Sequence, residues 1–372
     1  MQKSCRLAGF LVIIFATSLA FGKGDGWPLF RGDSQSSGVA TGKLPDKLAQ
    51  LWKFEIKDGA FEGTPAIVEG VVYIGDLDGS VYALGLNDGQ QRWQFKTESG
   101  FIGSPAYRDG RIYIGDYDGV FYCLDASNGE LVWKREVGGQ IDSSANFYKE
   151  NVLVGSQNAM LFCLDAKSGE VVWKHMIDDQ IRCTPTIAGD RVFLAGCDGH
   201  LHILDLAGGK TIAKVSIGAP TGVTPAVHGD FVYFGTEGGE FLCINWKEGT
   251  RVWTYQSERG NQPYRSSAAA TAERVIVGGR DKRVQSLNPL TGESMWSFSA
   301  RQRIDSSPVI VGQRVYVGSA DGRVYGLNLN TGHKIWEYET GGGFTGSAGV
   351  AQGRLVIASD DGVVYCFGAK KD

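Results

Sequence analysis

Along this chain short apolar runs alternate with polar turn residues, and the same order of runs and turns returns about every forty positions. Between Ser104 and Trp133 the runs are Ile112-Tyr-Ile, Val120-Phe-Tyr-Cys-Leu and Leu131-Val-Trp, rich in β-branched and aromatic side chains. Asp109-Gly110, Asp118-Gly119 and Asn128-Gly129 separate them, and such pairs tolerate the positive φ that tight hairpin turns require. One unit therefore reads as four antiparallel strands, A to D. Beyond an apolar leader no segment sustains a helical period, so the pattern predicts almost no helix.

The unit is written eight times. Trp52, Trp93, Trp133, Trp173, Trp253, Trp296 and Trp336 are spaced 41, 40, 40, 80, 43 and 40 apart, with the missing beat at Ala213. Thr64, Ser104, Ser144, Thr184, Thr224, Ser267, Ser307 and Ser347 form a second column in the same register. A meander of forty residues buries too little apolar surface to fold alone, whereas eight arranged radially pack face to face. The predicted fold is thus all-β: an eight-bladed β-propeller of four-stranded antiparallel blades. Residues 346–367 carry strands A to C of a last unit, and residues 52–56 supply an unaccompanied D strand. Pairing the N-terminal strand with the C-terminal blade closes the ring and leaves no exposed sheet edge at the seam.

The ends divide the chain further. A basic start, Met-Gln-Lys-Ser-Cys-Arg, precedes an apolar run from Leu7 to Ala20, which predicts a signal peptide over 1–22. A lead-in over 23–51, the propeller over 52–368 and a tail over 369–372 follow. The expected location is secreted, in a periplasm or at a cell surface, with no integral membrane segment after cleavage. Losing Lys3 and Arg6 leaves 35 basic against 41 acidic residues, net −6, which gives no support for a nucleic-acid partner. Cys123, Cys163, Cys243 and Cys366 share one strand C column that favours a small side chain, and read as buried thiols. Cys183 and Cys197 are candidates for a disulfide across one hairpin, although strict pairing leaves their side chains diagonal.

At Leu124-Asp-Ala-Ser-Asn-Gly-Glu-Leu-Val-Trp133 the chain resembles the tryptophan-docking motif of the PQQ-like β-propeller repeat family. Leu164 to Trp173, Leu287 to Trp296 and Leu327 to Trp336 repeat it. The resemblance implies that each Trp stacks on a glycine peptide of the neighbouring blade, where any Cβ would hold the two apart. It also implies one of two functions. One branch, similar to BamB, is a compact scaffold without a cofactor that serves protein assembly. The other, the quinoprotein alcohol dehydrogenases, holds PQQ and calcium in the central funnel beneath a vicinal disulfide. This chain has no vicinal cysteines and its blades lack long insertions.

Candidate chemistry sits two residues before the hydroxyl column, at Glu62, Ile102, Asp142, Arg182, Gly222, Arg265, Asp305 and Thr345. Strand A is innermost in a blade, so this column faces the funnel. Glu62, Asp142, Arg182, Arg265 and Asp305 either read a ligand or partner carboxylate, or line a watered channel and satisfy one another. Arg280, Lys282 and Arg283 form a basic cluster on the same face, opposite acidic turns at Asp76, Asp78, Asp116 and Asp118, and suit a protein partner. Asp-x-Asp-Gly lacks the later ligands of a calcium loop and reads as a turn. His200 and His202 are too few for a structural zinc site. No catalytic residue and no metal site follow from spacing. The expected function is a non-catalytic protein-binding or scaffolding propeller; the alternative is a PQQ- and calcium-binding quinoprotein, as dehydrogenase or sensor.

Overall fold

The computed structural model describes residues 25–370, so the leader expected at 1–22 lies outside the described residues. Eight antiparallel sheets close into a ring, and no helix occurs among the described residues. Blade 2 shows the plan: Ala106–Arg108, Arg111–Gly115, Val120–Asp125 and Leu131–Glu136 pair in sequence order as strands A to D. Blades 1 and 3 to 7 repeat it over 66–96, 146–176, 186–216, 226–256, 269–299 and 309–339. In blade 8, Gly349–Ala351, Arg354–Ala358 and Val363–Gly368 are completed by Ala49–Glu55, with Trp52 opposite Cys366 and Glu55 opposite Val363. The closing strand begins before Trp52 because its partner runs on to Gly368, which pairs with Ala49.

Each D strand shifts register at the residue just before the docking position: Leu51, Arg92, Val132, Val172, Ile212, Val252, Met295 and Ile335. A bulge there twists the outer strand and turns the next side chain towards the neighbouring blade. The extra residue faces outward, and Val172 and Ile335 are each 51% exposed. A bulge on an outermost strand also discourages edge-to-edge pairing.

The turned side chain is the indole. Trp52, Trp93, Trp133, Trp173, Trp253 and Trp296 lie on Gly89, Gly129, Gly169, Gly209, Gly292 and Gly332 of the following blade, where a Cβ would come 2.4–2.6 Å from the ring. Their Nε1–H groups donate to Leu86, Ala126, Ala166, Leu206, Pro289 and Leu329 carbonyls at 2.8–3.2 Å. Trp336 uses the Leu48 carbonyl at 3.1 Å, because the seam replaces the usual turn of blade 8 with the entering closing strand. Beneath every indole the facing strand C residue is small: Ala83, Cys123, Cys163, Cys243, Ser286, Gly326 or Cys366. The four cysteines are free and buried, as their column requires.

Where the indole is missing, the pair is inverted. Ala213 faces Ile203, so volume lost from strand D returns on strand C. Trp246, from the C–D turn of blade 5, packs against the same buried cluster as Ala213 and meets Phe193 edge-on at 5.6 Å. The joint between blades 4 and 5 is therefore filled from the opposite side.

The lead-in is part of the ring. Strand A is the inner edge of each sheet and leaves N–H groups facing the axis, which must find acceptors. Carbonyls of Trp27, Pro28, Ser34, Gln35, Ser37 and Gly38 accept from Ile67, Tyr107, Ile187, Val227, Ala270 and Ile310, at 2.7–2.9 Å. In blade 3 the donor of Phe147 turns to the Asn146 side chain at 2.8 Å, while the Asn146 amide reaches Ser34. Val39–Ala40 then adds a fifth, parallel strand to blade 7. Arg31 is fully buried within this collar and donates to the Ala268 carbonyl at 3.0 Å and to that of Pro308. Burial pulls its guanidinium down to about 9, against the pull of Asp33. Gly38 leaves the space that the Arg31 head occupies; a Cβ there would meet Nη2 at 2.0 Å.

Two stability outcomes follow. Trp133→Ala should lower unfolding free energy by about 3–5 kcal/mol in urea titration, and an unchanged midpoint would contradict the docking role. Arg31→Ala should cost about 3 kcal/mol by leaving two buried carbonyls without their donor, whereas a parent-like midpoint would show that the collar does not need it.

Candidate functional site

Just above the collar the hydroxyl column forms a closed ring. The backbone N–H of Thr64 donates to Ser104 Oγ, Ser104 to Ser144, Ser144 to Thr184, and Thr184 to Thr224, at 2.8–3.2 Å. Thr224 to Ser267, Ser267 to Ser307, Ser307 to Ser347 and Ser347 to Thr64 complete the circuit at 2.8–3.3 Å. A small hydroxyl is needed because each side chain reaches one blade back at the narrowest part of the ring. These groups floor a central funnel of about 420 Å³, and Phe30 of the lead-in also lines it from below.

All eight residues of the column two positions earlier line this funnel. The bland and the functional expectations divide among them. Asp305, with its side chain only 9% exposed, takes Arg280 through two 2.8 Å bonds and Arg303 through one of 3.0 Å. Arg265 contacts Glu237 at 3.3 Å. Arg182 has no acidic partner among the described residues; its Nε and Nη2 donate to Gln180 Oε1 at 3.0 and 2.7 Å. Asp142 accepts from the neutral amides of Gln140 and Gln157 at 2.7 and 2.8 Å. The Glu62 carboxylate has no hydrogen bond or ion pair among the described residues. Burial lifts its pKa, and repulsion from Asp360, Asp142 and Asp305 adds to the rise. Asp360 is likewise raised, chiefly by burial, although Thr345 donates to it from N–H and hydroxyl at 2.8 and 3.2 Å.

Three features of the sequence reading change. Of the acidic turns, Asp78 and Asp118 stay exposed, but Asp76 and Asp116 are buried, and each holds its own turn through two backbone N–H bonds and a tyrosine hydroxyl. The basic cluster also splits. Arg280 turns into the funnel, Arg283 is largely covered near Glu258 at 3.6 Å, and Lys282 alone stays exposed. The bridge between Cys183 and Cys197 is not formed: both are free thiols. Thr186 pairs with Phe193, which carries Cys183 to the level of Gly196, while Cys197 Sγ contacts the Thr221 carbonyl of the next blade. His202 Nε2 is held by Asp198 at 2.8 Å, and no three metal-binding side chains converge among the described residues.

Gln157, Glu237, Arg280 and Asp360 occupy one B–C turn column, immediately before the Asp-Gly position; Glu237 and Arg280 line the funnel, and Gln157 and Asp360 bond the column residues Asp142 and Thr345. The forty-residue spacing of these turns was readable, but nothing in spacing says that the turn leans inward.

The family described as outer membrane protein assembly factor BamB matches residues 45–147, 119–207 and 197–371. The chain belongs to that family. BamB from Moraxella catarrhalis superposes with a TM-score of 0.75 at 24% identity, covering 88% of this chain and 99% of that one. A computationally designed propeller, Ika8, gives 0.75 at 16%, over 86% and 99%. Quinohemoprotein alcohol dehydrogenase from Comamonas testosteroni gives 0.78 at 14%, over 93% and 81%. These likenesses establish the fold. No curated protein sequence matches.

The raised Glu62 pKa has a testable sign. The folded state holds this proton more tightly than the unfolded chain, so its stabilising effect is full below the ordinary carboxylate range and is lost as pH rises through the raised value. Glu62→Gln should melt higher than the parent at pH 7, and the gap should close near pH 4. A parent that melts higher at pH 7 would mean that a counter-charge offsets the repulsion.

Proposed function

We propose that this BamB family member is an extracytoplasmic, non-catalytic propeller that binds or scaffolds another protein through its funnel face. The observation that carries this reading is the funnel itself. It has the hydroxyl ring and Phe30 in its lining together with charges of both signs, with Arg182 and Arg265 exposed at its wall. The family description, an assembly factor, supports a protein partner and an extracytoplasmic setting. The blades also lack insertions that would wall a substrate off from water.

Dehydrogenase propellers share the fold, which keeps a quinone reading in view. Calcium needs six or more oxygen ligands, and the funnel carboxylates stand on separate blades, one of them already paired with two arginines. No three candidate ligands converge among the described residues, so the residue set does not fit a calcium-anchored quinone. Thermal titration with PQQ and calcium should leave melting unchanged; a saturable upward shift would favour the cofactor reading.

The scaffold reading predicts a one-sided footprint. A photo-crosslinker at Lys282, on the funnel face, should yield a discrete protein adduct in an envelope extract. The same probe at Glu69, in the A–B turn of the opposite face, should not. Equal labelling from both faces, or none, would count against it.

A further inference from the structure

The charges of the funnel are sorted by blade. Arg182, Arg265, Arg280 and Arg303 come from blades 4, 6 and the 6–7 connection, where Glu237 of blade 5 and Asp305 of blade 7 pair with Arg265 and with Arg280 and Arg303, respectively. Glu62, Asp142 and Asp360, without arginine partners among the described residues, come from blades 1, 3 and 8. Among the acids of the column, only Asp305 is neutralised by arginine. In blade 5 the column residue is Gly222, directly across the ring from Glu62, with Arg182 and Arg265 on the blades either side. The stem of Arg182 lies against Gly222, where a Cβ would meet it at 3.3–3.4 Å. The result is a notch between two guanidinium groups, Arg265 in contact with Glu237 of blade 5 and Arg182 with no acidic partner among the described residues. It faces the Glu62 carboxylate, which has no hydrogen bond or ion pair among them.

We propose that the funnel receives the C-terminal end of a polypeptide that finishes in a basic residue. Its carboxylate lies between Arg182 and Arg265, and its cationic side chain faces Glu62 and Asp142. This deepens the protein-binding reading and rests on it. Three physical points select this ligand. The floor is closed by the hydroxyl ring and Phe30, so a chain cannot pass through, and about 420 Å³ admits a chain end rather than a folded loop. Guanidinium forks match a carboxylate bidentately, and Arg182 and Arg265 keep unused N–H groups after their contacts to Gln180 and Glu237. A free amino acid carries ammonium and carboxylate on one carbon, which would set the ammonium beside the arginines. In a peptide that nitrogen is a neutral amide, and only the side chain carries positive charge to the opposite wall.

The eight floor hydroxyls strengthen the fit. Each already accepts a backbone N–H, and no protein acceptor is found for their own hydrogens among the described residues. They can turn those hydrogens towards an incoming oxygen. A cation near Glu62 and Asp142 would also relieve the repulsion that raises Glu62.

The test is calorimetric titration of the whole mature protein with Gly-Ser-Gly-Lys, its C-terminal amide, and Gly-Ser-Gly-Gln. The free-acid lysine peptide should bind saturably, and each single-charge deletion should weaken binding by about tenfold or more. Arg182→Gln should weaken the free acid and leave the amide unchanged. Glu62→Gln should weaken the lysine peptide and leave the glutamine peptide unchanged. Parent-like melting of Arg182→Gln, an exposed position, confirms that the variant is folded. No saturable binding at millimolar peptide, or equal binding of acid and amide, overturns the proposal. If crosslinking from Lys282 still captures a partner in that case, the scaffold reading survives and only the chain-end ligand falls.

Discussion

The architecture rests on an indole lying on a bare glycine peptide of the next blade. The contact needs three things at once: a ring on strand D, a glycine in the following C–D turn, and a small residue beneath the ring on strand C. The bulge before each docking position supplies the aim, since without it the alternation of the strand would leave the ring on the wrong side. Every blade carries the bulge, including blade 4, where Ala213 stands in the docking position. Geometry is thus preserved where the side chain is not, and Ile203 and Trp246 fill the space from other directions. Free cysteines follow from the same constraint. They are the size that an overlying indole permits, and burial lifts the Cys163 and Cys243 thiols to about 12, so they carry no thiolate chemistry at neutral pH.

Closure of the ring creates a second problem, which the lead-in and the hydroxyl column solve together. Eight inner strands converge on the axis with backbone donors directed inward. The lead-in accepts one from each of six blades lower down, and the hydroxyls accept one from every blade in a circuit higher up. The axial channel thereby becomes a blind funnel. Its depth is set by Phe30 and the hydroxyls, and its chemistry by the residues that precede them.

Much of this was legible in the chain. The forty-residue period, the closing strand, the docking tryptophans and the inward-facing column are all matters of register, and register is what a repeated sequence displays. The pairing of charges was not legible. Arg280 belonged to a basic turn and proved to be the counter-ion of Asp305, one tier below. Asp76 and Asp116 looked like surface acids and are consumed by their own turns. Arg31 carried no repeat signal at all, because it belongs to a segment that occurs once and crosses all the repeats.

The sequence by itself determined the number of blades, the strand order and the positions that meet at each joint, because local turn chemistry and a fixed period leave little else open. Only the tertiary structure decided which charges cancel and which stay uncompensated. That outcome depends on the lean of turns and the reach of long side chains across blades distant in sequence. It also decided that the funnel is blind, since a lead-in without periodicity finds its place only once eight inner strands offer it their donors.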